Sequence, residues 1–341
     1  MSSGAKPVKA VLSPQEDAEN QTASGRNPSV VSIVVPVFNE QNTIPIFVER
    51  LTAALKSVAR IVDWQIVFVN DGSRDATEFV IRGLMLKDDR IAIVNLSRNF
   101  GKDAALCAGL EYARGDAVIP IDVDLQDTPE VIPEMIEKWK AGAKVVNARR
   151  IDRSKDSWLK RLSAFMFYKV FNAMADQPIP SNVGDFRLLD RQVVDVVCSL
   201  GERARFNKSL FSWVGFETAE VTFEREERAS GNTSWSYWKL WNFALDGIFT
   251  SSTVPLRIWS YVGTLLAIAS ACYALFILLY TVFLGADTPG YASTVMLILF
   301  FGGLNLFAIG IIGEYIGRIY TEVRERPLYI VRSAHGLDRE P

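Results

Sequence analysis

Along the first half of the chain, short unbroken apolar runs alternate with longer stretches in which apolar residues recur every three or four positions. VSIVVPVF (Val31–Phe38), DWQIVFVNDGS (Asp63–Ser73) and IAIVNLS (Ile91–Ser97) read as strands buried on both faces. TIPIFVERLTAALKSV (Thr43–Val58), RDATEFVIRGLML and KDAALCAGLEYA carry helical spacing between and after them. A fourth apolar run, with Val118, Ile119 and Ile121, follows the third helix. This βαβαβα series predicts an α/β fold with a mostly parallel, doubly wound sheet and ligands at the carboxyl ends of its strands.

The last third of the chain has a different rhythm. No Lys, Arg, Asp or Glu occurs from Ile258 to Ala286, nor from Thr288 to Gly313. Each run exceeds the roughly 20 apolar residues that cross a bilayer core, so two membrane helices, 257–284 and 289–313, are expected in place of buried helices of a large soluble protein. Their connection holds Asp287, whereas Lys239 and Arg257 precede the pair and Arg318, Arg324 and Arg326 follow it. By the positive-inside rule both ends of the hairpin face the cytoplasm. Trp235, Tyr237, Trp238 and Trp241 mark residues 233–256 as an amphipathic segment at the membrane boundary. Residues 29–232 then form the soluble domain, 314–341 a cytoplasmic tail, and 1–28, polar and without an apolar core, a disordered N-terminal tail.

Composition narrows the chemistry. The 341 residues include one histidine, His335, and three scattered cysteines, Cys107, Cys198 and Cys272, so Ser-His-Asp, Cys-His and His-ligated metal sites are excluded and no disulfide framework is implied. Catalysis must use carboxylates, cations and hydroxyls. Neither GxGxxG after the first strand nor GxxxxGK[ST] is present. Polar residues instead stand at the strand ends: Asn39 and Glu40, Asn70 and Asp71, Arg98 and Asn99, then Asp122, Asp124, Gln126 and Asp127. Each alone serves equally as a helix cap or turn former. Three acids within six residues after a buried strand call for open solvent or a cation.

VSIVVPVFNE, VNDGSRDAT, LSRNFGKDAAL, IPIDVDLQDTPE and VGDFRLLDR, in this order and followed by a two-helix hairpin ending GEYIGRIY, resemble a family 2 glycosyltransferase of the polyprenyl-phosphate branch. Within that branch the bactoprenol glucosyltransferases are most similar, with dolichyl-phosphate mannose synthase more distant. The likeness covers roughly Val31 to Ile330. It implies a GT-A nucleotide-sugar domain that transfers a hexose, glucose above others, from a UDP-sugar to undecaprenyl phosphate. It implies Mg²⁺ or Mn²⁺ held by Asp122, Asp124 and Gln126, donor contacts from Pro36, Phe38, Glu40, Asp71 and Asp122, and Asp185 with Asp124 as catalytic groups; Asp71 also suits the turn NDGS, and Arg98 and Lys102, placed to meet the diphosphate, serve equally as surface cations on a helix. Asp127 is read as the cap of the next helix. The resemblance further implies a homotetramer in a bacterial inner membrane, a flippase and a second glycosyltransferase downstream, and no nucleic-acid partner.

The acceptor, a phosphate monoester with a second pKa near 6, is largely ionised at neutral pH and needs cations more than a strong base. NARRIDRSKDSWLKRLSAFMFYKVF supplies Arg149, Lys160 and Arg161, and the later loop supplies Arg225, Arg228 and Thr233, as candidate acceptor-phosphate contacts. Lys160 and Arg161 serve equally on an amphipathic helix that touches only lipid headgroups. Arg187 is open to a structural ion pair with Asp185. A processive polysaccharide synthase fits less well, because QxxRW is missing and two helices are too few for a channel. A non-catalytic lipid-binding scaffold would have no need of Asp122, Asp124, Gln126 and Asp185 together.

Overall fold

The computed structural model of the chain describes residues 29–151, 183–202, 213–224, 252–284 and 290–337, together with Lys169, Asn172, Leu210 and Phe211. Its strands are β1 (Ser29–Val37), β2 (Val62–Asn70), β3 (Ile91–Leu96), β4 (Ala117–Pro120), β5 (Val145–Arg150), β6 (Val183–Asp190), β7 (Thr218–Phe223) and β8 (Val331–His335). Among the described residues they make one sheet, in the order β7-β5-β6-β4-β1-β2-β3-β8. The run β4-β1-β2-β3 is parallel, with Ile33 opposite both Ile66 and Ile119. Elsewhere the sheet is mixed: β6 is antiparallel to β4 and β5, β7 is parallel to β5, and β8 is antiparallel to β3. The expectation of a mostly parallel sheet therefore holds for the first four strands only. A strand covered on both faces has the same apolar run in either direction, so its sequence does not record which way it points.

The helices are α1 (Thr43–Lys56), α2 (Thr77–Met85), α3 (Lys102–Tyr112), α4 (Ile132–Lys140), α5 (Arg191–Ser199), α6 (Val254–Leu284) and α7 (Tyr291–Val323). Ile44, Phe47 and Leu51 of α1, Ile81 of α2, and Met135 and Ile136 of α4 pack on one sheet face against Ile33, Ile66 and Phe68. Ala105, Leu106 and Ala108 of α3 and Val193, Val194 and Val197 of α5 cover the other face against Val34, Val67 and Val69. Helix α3 lies unusually close to the sheet, since a Cβ on Gly109 would stand 2.2 Å from Val34 Cγ1. Its small residues are what let it approach. Strand order reverses at the boundary between β1 and β4, which opens a crevice at their carboxyl ends.

Helices α6 and α7, at 1.5 Å per residue, are about 46 and 50 Å long. They expose large apolar side chains, among them Leu265, Phe283, Leu306 and Phe307. Trp259 and Phe307 meet edge to face, with ring centroids 5.2 Å apart. Helix α7 continues past the expected end at Gly313 to Val323. What was expected to be a tail then returns to the soluble domain as β8, where Asn95 Nδ2 donates to Ser333 Oγ at 3.1 Å, Arg332 pairs with Glu78 at 2.6 Å, and Tyr329 donates to Glu111.

Candidate active site

Asn39 lies in the left-handed region (φ 56°), and its turn is tied to the β2–α2 loop by Asn39 N–H to Ser73 Oγ and Arg74 N–H to Asn39 Oδ1, each 2.9 Å. Glu40 accepts from Thr43 Oγ1 at 2.7 Å and its N–H donates to Thr77 Oγ1 at 2.9 Å. Pro36 lies near the end of β1, and Phe38, just beyond it, is 43% exposed. These bonds tie the loop after β1 to the loop after β2 and leave the Phe38 ring exposed beside them.

Asp71 is buried after β2, where its two carboxylate oxygens accept from Phe100 N–H at 2.7 Å and Gly101 N–H at 2.9 Å. Burial pushes its carboxyl above the ordinary value, against the opposing pull of those two amides and of Arg98. Asp71 thus anchors the loop that opens α3, an anion placed where the helix exposes unpaired N–H groups. Gly72 beside it has φ +69°, and a Cβ there would meet the Arg98 carbonyl carbon at 2.5 Å. Arg98 stacks on Phe100, 4.0 Å from the ring centroid, and donates to Asn99 O at 2.9 Å.

The loop so anchored presents Lys102. Its ammonium is 2.8 Å from Asp122 Oδ2 and 2.9 Å from Asp185 Oδ2, which puts those two oxygens no more than about 5.7 Å apart. Partial burial favours the neutral amine, but the charges of Asp122 and Asp185 outweigh it and hold the ammonium well above the usual lysine range. Asp122 follows β4 and Asp185 lies on β6, so the antiparallel β4–β6 pairing brings together acids 63 positions apart. Asp124 Oδ1 accepts from Gln126 N–H at 3.1 Å across Leu125, which has φ 60°. Asp122, Asp124 and Gln126 therefore share one tight turn. The next helical turn, Pro129–Val131, starts from Thr128, one residue after Asp127, and the Thr128 hydroxyl donates to Glu224 O at 3.2 Å.

Among the described residues, no three of His, Cys, Asp and Glu converge into a ready-made metal cage. Two carboxylates and an amide oxygen make a hard but incomplete donor set. It fits a cation of the Mg²⁺ or Mn²⁺ type, which takes its remaining ligands from phosphate and water.

Arg187, for which an ion pair with Asp185 was the alternative reading, feels the charge of Asp185 without a direct salt bridge to it. It is buried, donates to Gly184 O at 2.6 Å, and stacks on Phe211 at 4.5 Å, and desolvation pulls it down to about 10 against the charge of Asp185. Its Nε and the Oδ1 of Asn147, the residue opposite it on β5, are both buried without a hydrogen-bond partner. No periodicity in the sequence marks this polar pair. Arg149 reaches Glu220 at 3.2 Å with both side chains nearly half exposed. Lys160, Arg161, Arg225, Arg228 and Thr233 lie outside the described residues.

Residues 32–198 match the family model "Glycosyl transferase family 2", and residues 254–319 match "GtrB C-terminal hairpin". The SfII prophage-derived bactoprenol glucosyl transferase of Shigella flexneri is 49% identical over 89% of this chain and 98% of that protein. The chain belongs to glycosyl transferase family 2. The prophage bactoprenol glucosyl transferase homolog of Escherichia coli K12 is also 49% identical, over 89% of this chain and 98% of its own length. An uncharacterized glycosyltransferase of Synechocystis is 49% identical over 91% of this chain and 97% of its own.

Proposed function

We propose that this family 2 glycosyltransferase moves glucose from UDP-glucose to a polyprenyl phosphate of the undecaprenyl type at the membrane surface. The observation that carries the reading is the shared ammonium of Lys102, which places Asp185 beside Asp122 at the crevice mouth. The likeness to bactoprenol glucosyl transferases supplies the substrates. Asp122, Asp124 and Gln126 would hold Mg²⁺ or Mn²⁺, which when bound neutralises charge growing on the departing diphosphate.

The chain's own residues do the rest. The β1 loop, with Pro36, Phe38 and Glu40, frames the uridine, while Asp71 holds the loop from which Arg98 and Lys102 face the diphosphate. An acceptor phosphate oxygen bonds to the anomeric carbon as the bond from that carbon to the diphosphate breaks, inverting configuration. Because the acceptor is already anionic, Asp185 serves to orient sugar and phosphate and strips no tightly held proton. Arg149 can exchange Glu220 for the acceptor phosphate at little cost, since ion pairs this exposed contribute only about 0.2–1 kcal/mol.

Helices α6 and α7 support a membrane hairpin: each is longer than the roughly 30 Å hydrocarbon core, and their outward faces are apolar. The segment Phe300–Val323 by itself is long and apolar enough to cross. The test is transfer of label from UDP-[¹⁴C]glucose to undecaprenyl phosphate by the purified protein with Mg²⁺ or Mn²⁺, read after organic extraction. Labelled polymer, or no label in lipid with any UDP-hexose, would refute the reading.

A further inference from the structure

Lys102 occupies a position that neither a purely structural cation nor a simple diphosphate contact explains. It bridges Asp122 and Asp185 at 2.8 and 2.9 Å, yet its side chain is 46% exposed. Its backbone is fixed, as the first residue of α3 behind a loop anchored on Asp71. The four-carbon stem beyond that backbone carries a compact charge with three donors and turns without moving the helix. Two carboxylates this close repel unless a cation lies between them, and an arriving divalent ion would meet the ammonium as a like charge.

We infer that Lys102 is an exchangeable counter-ion: it neutralises Asp122 and Asp185 in the resting enzyme, yields Asp122 to the divalent cation, and carries its charge over to the donor diphosphate. The inference rests on the glycosyltransferase reading of Asp122. One consequence is that metal alone binds weakly, because it must displace an ammonium that has nowhere better to go. A second is that metal and nucleotide bind with positive coupling, because the diphosphate gives the displaced ammonium a new partner.

The test is Mn²⁺ titration of the full-length detergent-solubilised protein, followed by electron paramagnetic resonance of the free ion, with and without UDP. Lys102→Gln should bind Mn²⁺ about two- to thirtyfold more tightly than wild type when UDP is absent, the range expected from losing two partly exposed ion pairs. Its coupling between Mn²⁺ and UDP should shrink by a similar factor. Lys102→Arg, which keeps the charge, should stay near wild type, as should Lys140→Gln, which removes a lysine whose described hydrogen bond is to Ser29. Lys102→Gln binding Mn²⁺ no more tightly than wild type, while both still bind Mn²⁺ with UDP, overturns the counter-ion role and leaves the glycosyltransferase reading standing. A wild-type protein that binds neither Mn²⁺ nor UDP overturns both.

Discussion

Gly72→Ala tests whether the geometry of one turn controls the whole site. The backbone at Gly72 has φ +69°, where an L side chain costs about 1–2 kcal/mol. The new Cβ would also stand 2.5 Å from Arg98 C and 2.6 Å from Asn99 N, against a normal carbon contact of about 3.5–4.0 Å. Both are main-chain atoms, so relief requires the β3–α3 loop to retreat by about 1 Å, and overpacking of this kind costs about 1–3 kcal/mol. The loop cannot retreat freely, because Asp71 holds Phe100 and Gly101. The combined cost of about 2–5 kcal/mol corresponds to a fall in Tm of about 4–20 °C for a domain of this size. A shift of about 1 Å in the segment that carries Lys102 should also cut turnover by about 10²-fold. The measurement is a thermal scan at one fixed rate, because Tm depends on scan rate when unfolding is irreversible, alongside lipid-linked sugar formation. Gly83→Ala is the matched control: nothing lies within 4 Å of its Cβ, and the helix should gain about 0.5–1 kcal/mol. A Gly72→Ala protein that melts within about 2 °C of wild type and keeps full activity would refute the reasoning.

Asp124→Ala should lower turnover by about 10³-fold with membrane insertion unchanged, as judged by fractionation and the lipid-extraction assay. The Lys102 ion pairs, whose folded pKa is raised, contribute fully below the ordinary lysine value of 10.5 and fade only as pH climbs beyond it. The Tm difference between wild type and Lys102→Gln should therefore be constant from pH 6 to 9 in a buffer series, and a slope in that window would count against the bridge. Arg187→Met should melt within about 2 °C of wild type or higher, because it trades a costly buried charge for an apolar chain of similar reach, while turnover falls as Asp185 loses a neighbouring cation. Deleting residues 327–341 uncovers the edge of β3 and removes the Ser97 N–H to Ile330 O bond of 2.8 Å, so hydrogen exchange should speed up at Ile93–Leu96 more than in β1.

The strand ends were legible because each apolar run stops where Asn, Asp or Arg begins: β1 and β3 lie within two residues of their expected limits, and β2 ends at Asn70, three residues before Ser73, because that segment runs on into the turn. The role of Asp71 was less so. A carboxylate after a strand has the same letter whether it faces a ligand or holds two amides of another loop, and here it holds Phe100 and Gly101. Strand β8 did leave a trace, a short apolar run Leu328–Val331 before Gly336, but beside a membrane hairpin it passed for a tail. Its strand character depends on a partner, the open edge of β3, nearly 240 positions away.

The sequence by itself determined what depends on neighbours along the chain: the alternation of strands and helices, the two long charge-free runs, the scarcity of histidine, and the acids placed after β4. Tertiary structure decided what depends on distant pairing. The direction of β6, the return of β8, the burial of Arg187 beneath Phe211, and the meeting of Lys102, Asp122 and Asp185 within hydrogen-bonding distance belong to that class. The physical reason is range. Periodicity reports which face of an element is dry, whereas charge meets charge only after the sheet has set its order and register.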